Sequence, residues 1–479
     1  MFFWAALEKN IPFLVSFCFT VAIARLVSPD AYGLVAMTTI LTAVGHVIQN
    51  MGLTSALIQR KDLRESDTTT VFLTNIAFGG LVAVLLIALS GEIARFFGRD
   101  EIVIVVHVNA AALLVASFGA VQMAMLQRHY RFRAGLVIET AVSTLAGTCA
   151  IYLALLGHDL WALLVQILVR EGSRTLLLWL VIRWRPRGGV SGRSLRELWT
   201  YGRHMIGASL YHHFATNLTS LLLGKFYSAT TLGLFSRAQS LQTLPVGLVT
   251  QPAQRVAFPL YSRTQSDLVA LRTLLRAHIR MVALLAGIIT AVLATCSREI
   301  VLILVGDTWA GAIPMLQTLA LAAFFSITFP LHSEANKAIG ESRWFFWVEV
   351  VKKTVLIALV GTGIYLGTNW LLWALVAGSV IDYALSALSS ARFLGYTWRL
   401  QLADFGPSLA LSVFSVLAVP LVPAFVGPMG LLWGSALKCG LVIMVFGVGI
   451  GLFGLRAFPE LCSWFITLRA RMMRLVART

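Results

Sequence analysis

The apolar residues of this chain fall into repeated blocks of about 20, the length at which a helix crosses roughly 30 Å of hydrocarbon. In lipid every backbone N–H and C=O must be bonded within the protein, so blocks of this length are confined to spanning helices. Apolar residues supply 58% of the chain and charged residues only 12%, against about 25% charged in a soluble domain. The first block, Phe2 to Leu26, runs past signal-peptide length and ends in no small-residue cleavage site, so it is expected to be the first span.

Cutting the chain at charged or turn-rich segments predicts an all-α polytopic membrane protein of about fourteen transmembrane helices. An N-terminal six-helix lobe covers 1–182, followed by a basic cytoplasmic linker at 183–198 and a C-terminal six-helix lobe at 199–394. An additional helix pair covers 395–455. A basic amphipathic tail, 456–479, places Leu461, Trp464, Phe465, Leu468, Met472 and Leu475 at helical spacing among arginines, as in a helix lying on an anionic leaflet. Ser266 to Arg280 reads as a second surface helix, with Arg272, Arg276 and Arg280 on one stripe opposite Leu271, Leu274 and Leu275.

The net charge is +17, with arginine far outnumbering lysine. Most of this charge lies in short segments between spans, leaving no basic domain for a duplex, so nucleic acid is not an expected partner. Anionic lipid and a phosphorylated substrate are. Alternate loops hold the positive residues: Arg60, Lys61 and Arg64; Arg128, Arg131 and Arg133; Arg183 to Arg196; Arg263 to Arg280. The opposite loops hold almost none, Arg95 and Arg99 being the main exceptions. Cytoplasmic loops carry the positive excess, so both termini are expected in the cytoplasm of an inner-membrane protein.

No soluble-type domain is large enough to house catalysis, and no GxxxxGK[ST] loop occurs, so neither an enzyme nor a nucleotide cofactor is expected. Cys18, Cys149, Cys296, Cys439 and Cys462 show no metal or redox spacing.

Laid over itself at an offset of 200, the chain aligns Arg25 to Leu34 with Lys225 to Leu234, and the register continues to Ser66 and Asp67 over Ser266 and Asp267. Both copies start on one membrane side, which implies parallel repeats about an axis along the membrane normal.

Residues 24–37 (ARLVSPDAYGLVAM) and 52–62 (GLTSALIQRKD) resemble the first hairpin of polysaccharide-export flippases, the Wzx-like branch of the multidrug/oligosaccharidyl-lipid/polysaccharide exporter superfamily. Residues 232–241 (LGLFSRAQSL), with Leu244 and Pro245, and 258–262 (FPLYS) give a second match. The abrupt apolar start departs from the short polar lead usual in that family, so a few preceding residues are expected to be missing. The resemblance implies two six-helix lobes in a pseudo-twofold arrangement. It also implies movement of an undecaprenyl-pyrophosphate-linked oligosaccharide to the periplasmic leaflet, alongside a polysaccharide polymerase or export machinery.

Such a substrate needs polar and cationic groups inside the membrane, and arginine suits phosphate because its planar fork donates paired hydrogen bonds. Basic residues within spans are costly unless they face a wet cavity or a partner. The candidates are Arg170, Arg174, Arg25, Lys225, Arg237 and Arg255. Arg25 and Lys225 could equally snorkel to headgroups, and Arg255 could be a cytoplasmic anchor. Arg170 and Arg174 share a face, with Glu171 as an alternative partner of Arg174. Lys352 and Lys353 read as anchors beside Glu349, and Lys438 as mid-span with no partner near it in sequence, its roles being burial or substrate contact. Asp382, deep in its helix, is the candidate for ion coupling, with a structural hydrogen bond as the competing role. A cation-coupled efflux pump would want more membrane carboxylates, and a membrane glycosyltransferase or polymerase an acidic pair or a large extramembrane loop.

Overall fold

The computed structural model describes the backbone of residues 2–60, 62–129, 131–421 and 430–452. Side chains are described from residue 11 onward, apart from 59, 198–208, 212, 342, 343 and 452. The expected tail helix at 456–479 lies outside the described residues.

The described chain is helical throughout, with two one-turn 3-10 segments and no strand. In order the helices are α1 (Phe2–Leu26), α2 (Pro29–Met37), α3 (Thr39–Asn50), α4 (Leu53–Gln59), α5 (Glu65–Phe97), α6 (Ile102–Ser117), α7 (Ala120–Arg128), α8 (Phe132–Leu155) and α9 (Asp159–Val181). There follow α10 (Gly192–Phe226), α11 (Ala229–Arg263), α12 (Leu268–Thr295), α13 (Ser297–Leu304), α14 (Ala312–Ile339), α15 (Ser342–Leu366), α16 (Thr368–Leu394), α17 (Trp398–Ala418) and α18 (Leu431–Leu452).

Among the described residues, eight segments are long and apolar enough to cross a bilayer, and α6 with α7, bent by 47°, form a broken span or a re-entrant loop. Outside this set, α9 and α15 carry clusters of charged residues, and α11 carries glutamine, serine, threonine and proline among its apolar residues. Leu81, Val84, Leu85, Leu155, Leu180 and Leu417 are each half or more exposed. Large apolar side chains facing outward along long helices are what a lipid solvent demands.

The chain divides into two compact units, the first of residues 1–236 and 304–308, the second of 237–303 and 309–479. In the first unit α8 packs between α1 and α9, α6 packs on α5 and α9, and α3 packs on α5 and α10. Small residues let these helices approach. Ala150, Ala154 and Ala162 are buried against Ile23 and Val27, and a Cβ on Gly147 would fall 2.2 Å from the Phe19 ring. Close approach through small side chains is how helices associate where lipid supplies no hydrophobic drive.

The internal repeat meets itself within this unit. A Cβ on Gly33 would lie 1.8 Å from the carbonyl oxygen of Ala229, and one on Gly233 would lie 1.9 Å from that of Pro29. Residues 29 and 229, like 33 and 233, are equivalent under the 200-residue offset. Between them Thr230 donates to Asp30 at 3.3 Å.

In the second unit α12 is embraced by α14, α17 and α18, and α16 packs on α14 and α15. Its core joins Tyr261, Leu271, Leu275, Ile279, Phe324, Tyr383 and Tyr396. The surface helix expected over Ser266 to Arg280 is not a separate element. Asp267 accepts from Val269 N and Ala270 N and starts α12, which runs on into the bundle. Its arginine stripe meets Asp404: Arg276 donates at 2.7 and 3.1 Å and Arg280 at 3.1 Å, and Tyr396 Oη adds 2.8 Å.

Candidate functional site

The first unit contains a cavity of about 250 Å³. Three stretches of helix wall it, each contributing residues at three- and four-residue spacing and hence one face. Thr38, Thr39, Thr42 and His46 come from α3 and the junction before it, Asn109 from α6, and Gln166, Arg170 and Glu171 from α9. Val35, Leu113 and Ile167 complete the wall with apolar surface.

The polar side chains are held in place. Asn109 Nδ2 donates at 3.0 Å to Thr38 Oγ1, which donates at 2.9 Å to the Val35 carbonyl. His46 Nδ1 lies 3.2 Å from Gln49 Oε1. Arg170 Nη2 donates to Ser16 Oγ at 3.3 Å. Arg174 reaches Glu139 on α8 through Nε at 2.9 Å and Nη2 at 3.0 Å, and grips Glu171 through Nη1 at 2.9 and 3.2 Å. The partner suggested by spacing, Glu171, is therefore joined by a second carboxylate 35 residues away in sequence. Arg174 fixes Glu171 on the cavity wall, and Arg170 is the cation that faces the space.

The other candidates are placed elsewhere. Arg25 Nε donates to the carbonyl of Leu304, the last residue of α13, at 3.1 Å. Its repeat equivalent Lys225 donates to the Phe96 carbonyl in the last turn of α5 and lies 4.5 Å from the Phe96 ring centroid. Both cations thus sit at helix C-termini, where carbonyl dipoles favour positive charge. Nearby, Arg99 binds Asp30 at 2.9 and 3.2 Å, and also Glu101. The hydrogen bond from Arg99 holds the Glu101 carboxyl below the usual carboxylate range.

In the second unit Arg237 is 6% exposed, with its guanidinium 5.2 Å from the Trp309 ring centroid. Arg255 is exposed and forms no ion pair among the described residues. Asp382 is half-buried in α16, which packs on α15, the helix of Lys352 and Lys353. Lys352 pairs with Glu349 at 2.7 Å. Lys438, which has no partner near it in sequence, pairs with Glu299 at 2.7 Å.

A search for charge overlooks half of the cavity. Thr38, Thr42, Asn109 and Gln166 are uncharged, yet Thr38, Thr42 and His46 recur every four residues, as do Gln166, Arg170 and Arg174. Polar residues at helical spacing within an apolar segment are the signal that would have found it.

Set against known proteins, residues 22–314 match the family described as polysaccharide biosynthesis protein. The teichuronic acid biosynthesis protein TuaB of Bacillus subtilis (strain 168) is 28% identical over 375 residues, 77% of this chain and 76% of that protein. The succinoglycan biosynthesis transport protein ExoT of Rhizobium meliloti (strain 1021) is 24% identical over 408 residues, 85% of this chain and 80% of that protein. Among solved structures, the lipid II flippase MurJ in an inward closed conformation shares the fold, with a TM-score of 0.76 at 13% identity over 94% of this chain and 98% of that one. An inward-facing multidrug resistance MATE family transporter of the MOP superfamily gives a TM-score of 0.62 at 13% identity over 82% of this chain and 99% of that one.

Proposed function

The chain belongs to the polysaccharide biosynthesis protein family, and we propose that it is a flippase that moves a lipid-linked oligosaccharide across a membrane by alternating access. The relatives' names point the same way, one being a transport protein for succinoglycan and another serving teichuronic acid synthesis. The observation that carries the reading is the cavity of the first unit, whose hydrogen-bonding wall stands among helices with apolar outer faces. Keeping polar residues there is costly unless something polar occupies the space.

The substrate is an undecaprenyl-pyrophosphate-linked unit destined for exopolysaccharide, capsule or O-antigen, and the protein sits in the bacterial inner membrane with both ends cytoplasmic. The sugar enters between polar helix faces while the polyprenyl tail stays in lipid. Arg170 contacts the passing saccharide and Arg174 positions Glu171. Arg255 supplies cationic surface for the pyrophosphate and Arg237, buried against the Trp309 ring, acts as a positioning residue, with Asp382 as the ion-coupling carboxylate. Arg25 and Lys225 stabilise helix ends on the transport path. The two lobes are 1–182 and 199–394, with the pair at 395–455 appended to them.

Arginine-to-alanine replacement at 170 tests the assignment. Polysaccharide export in intact cells is expected to fall about tenfold, the effect of losing one charge-assisted hydrogen bond, with normal membrane insertion. Unchanged export would remove Arg170 from the path.

A further inference from the structure

The lining of the cavity has a chemistry that the flippase reading alone does not specify. Two cations and two carboxylates belong to it or brace it, Arg170 and Arg174 against Glu139 and Glu171, so its formal charge is balanced. Glu171 stands on the wall itself, and its carboxylate would repel a phosphate oxygen at close range. Both prongs that Arg174 could offer a phosphate are already used on carboxylates. A pyrophosphate, with a negative charge on each phosphorus centre, therefore finds no net attraction here.

What the wall does offer is hydrogen bonding of both senses. Gln166 and Asn109 each present a carbonyl oxygen and an amide, Thr39 and Thr42 present hydroxyls, Arg170 presents donors and Glu171 acceptors. Hydroxyl groups on adjacent carbons of a sugar ring pair with such planar groups, each hydroxyl both giving and accepting. Carboxylates accept well from hydroxyls, so Glu171, unfavourable to phosphate, is favourable to a sugar. Val35, Leu113 and Ile167 supply an apolar surface for the C–H face of a ring.

Size agrees with chemistry. The cavity, about 250 Å³, is in the size class of a small ligand such as one monosaccharide ring with its hydroxyls. The side chains are also set before any ligand arrives. Asn109 is held by Thr38, Arg170 by Ser16 and Glu171 by the Arg174–Glu139 brace, which lowers the ordering cost of binding.

We propose that this cavity is a saccharide subsite that takes one uncharged sugar ring of the substrate and leaves the pyrophosphate outside. The proposal rests on the flippase reading. Gln166, Asn109 and Glu171 set its selectivity for hydroxyl-bearing rings over anions, and Arg170 is one donor among several.

The test is saturation-transfer difference NMR on the full-length protein in detergent micelles, with glucose, galactose, mannose and rhamnose as separate probes. Inorganic pyrophosphate, followed by phosphorus line broadening, forms a second arm. At least one neutral sugar is expected to receive transfer, and Gln166→Leu should reduce it by about fivefold, the loss of one hydrogen bond. Ile167→Trp, which fills the space from the apolar side, should abolish it. Gly91→Ala, in α5 with nothing within 4 Å of its Cβ position, should leave it intact. Pyrophosphate broadening should be the same in wild type, Gln166→Leu and Ile167→Trp. No transfer to any sugar, transfer that survives Ile167→Trp, or pyrophosphate broadening lost in both cavity variants would each overturn the subsite. Deletion of the gene and complementation with wild type read export separately. Restored export without sugar binding would sink the subsite and leave the flippase standing, whereas export unaffected by deletion would sink both.

Discussion

Arg174 on α9 binds Glu139 on α8 through two parallel contacts, Nε to Oε1 at 2.9 Å and Nη2 to Oε2 at 3.0 Å. The same guanidinium holds Glu171. Removing Arg174 leaves two carboxylates, about a fifth to a quarter exposed, without their cation. Breaking such a pair costs more than the pair contributes, because the remaining charge keeps its desolvation penalty. Arg174→Ala is expected to destabilise the protein by about 2–4 kcal/mol, read as a lower Tm in detergent. Arg174→Ala with Glu139→Gln should recover part of the loss. An unchanged Tm would show that Arg174 does not brace the bundle.

The reciprocal crossing of the repeat makes a sharper steric prediction. Neither Gly33 nor Gly233 has room for a methyl group, since backbone oxygen lies under 2 Å from either Cβ position. Gly33→Ala and Gly233→Ala should each force the two hairpins apart and lower export to a similar degree, because the two contacts are related by the repeat. Gly91→Ala, in α5 with nothing within 4 Å, is the control. It should be neutral or stabilising by up to about 1 kcal/mol, the difference in helix propensity. Tolerated alanine at both 33 and 233 would mean that the crossing is not required.

Asp404 carries three partners, Arg276, Arg280 and Tyr396, with its side chain only 4% exposed. Asp404→Ala should therefore cost more than Arg276→Ala or Tyr396→Phe. A loss of roughly 3 kcal/mol is expected for the carboxylate and about 1 kcal/mol for the phenol hydroxyl. Thermal unfolding of the three variants orders them, and equal losses would contradict the hub.

How far the sequence reaches is visible in these same residues. The apolar blocks and the alternation of basic loops predict a polytopic helical protein, and the 200-residue offset predicts parallel repeats, but that their hairpins meet at Gly33 and Gly233 is visible only in the structure. Partners remote in sequence are not legible from spacing. Glu139 for Arg174, Glu299 for Lys438 and Asp404 for Arg276 are each supplied by another helix. The stripe Arg272, Arg276 and Arg280 has the pattern of a helix lying on a membrane surface, yet Asp404 satisfies two of its members inside a bundle. The cavity shows a similar limit: arginine is conspicuous in an apolar segment, whereas Thr38, Asn109 and Gln166 gain meaning only when α3, α6 and α9 bring them to one space.

Acid should loosen the cluster around Arg99. The Glu101 carboxyl is held below its ordinary range by that guanidinium, so its contribution to stability is complete above the unfolded value near 4.3 and is lost as pH falls through the lower folded value. Both groups are a third or more exposed, so the effect is small and screened by salt. The fall in Tm from pH 6 to about pH 3 should shrink in Glu101→Gln. An identical fall in both proteins would remove Glu101 from the acid response.

The most direct measurement follows the substrate itself. In cells lacking the gene, lipid-linked oligosaccharide exposed on the outer leaflet can be quantified with an impermeant lectin, against the total extracted from the membrane. Without the protein the total should rise while the exposed fraction falls at least about tenfold, roughly 1.4 kcal/mol of lost transport rate. Wild type should restore exposure, and Arg170→Ala with Gln166→Leu should not, despite normal insertion. An exposed fraction unchanged by deletion would contradict a flippase, and full exposure with the double variant would contradict passage through the cavity of the first unit.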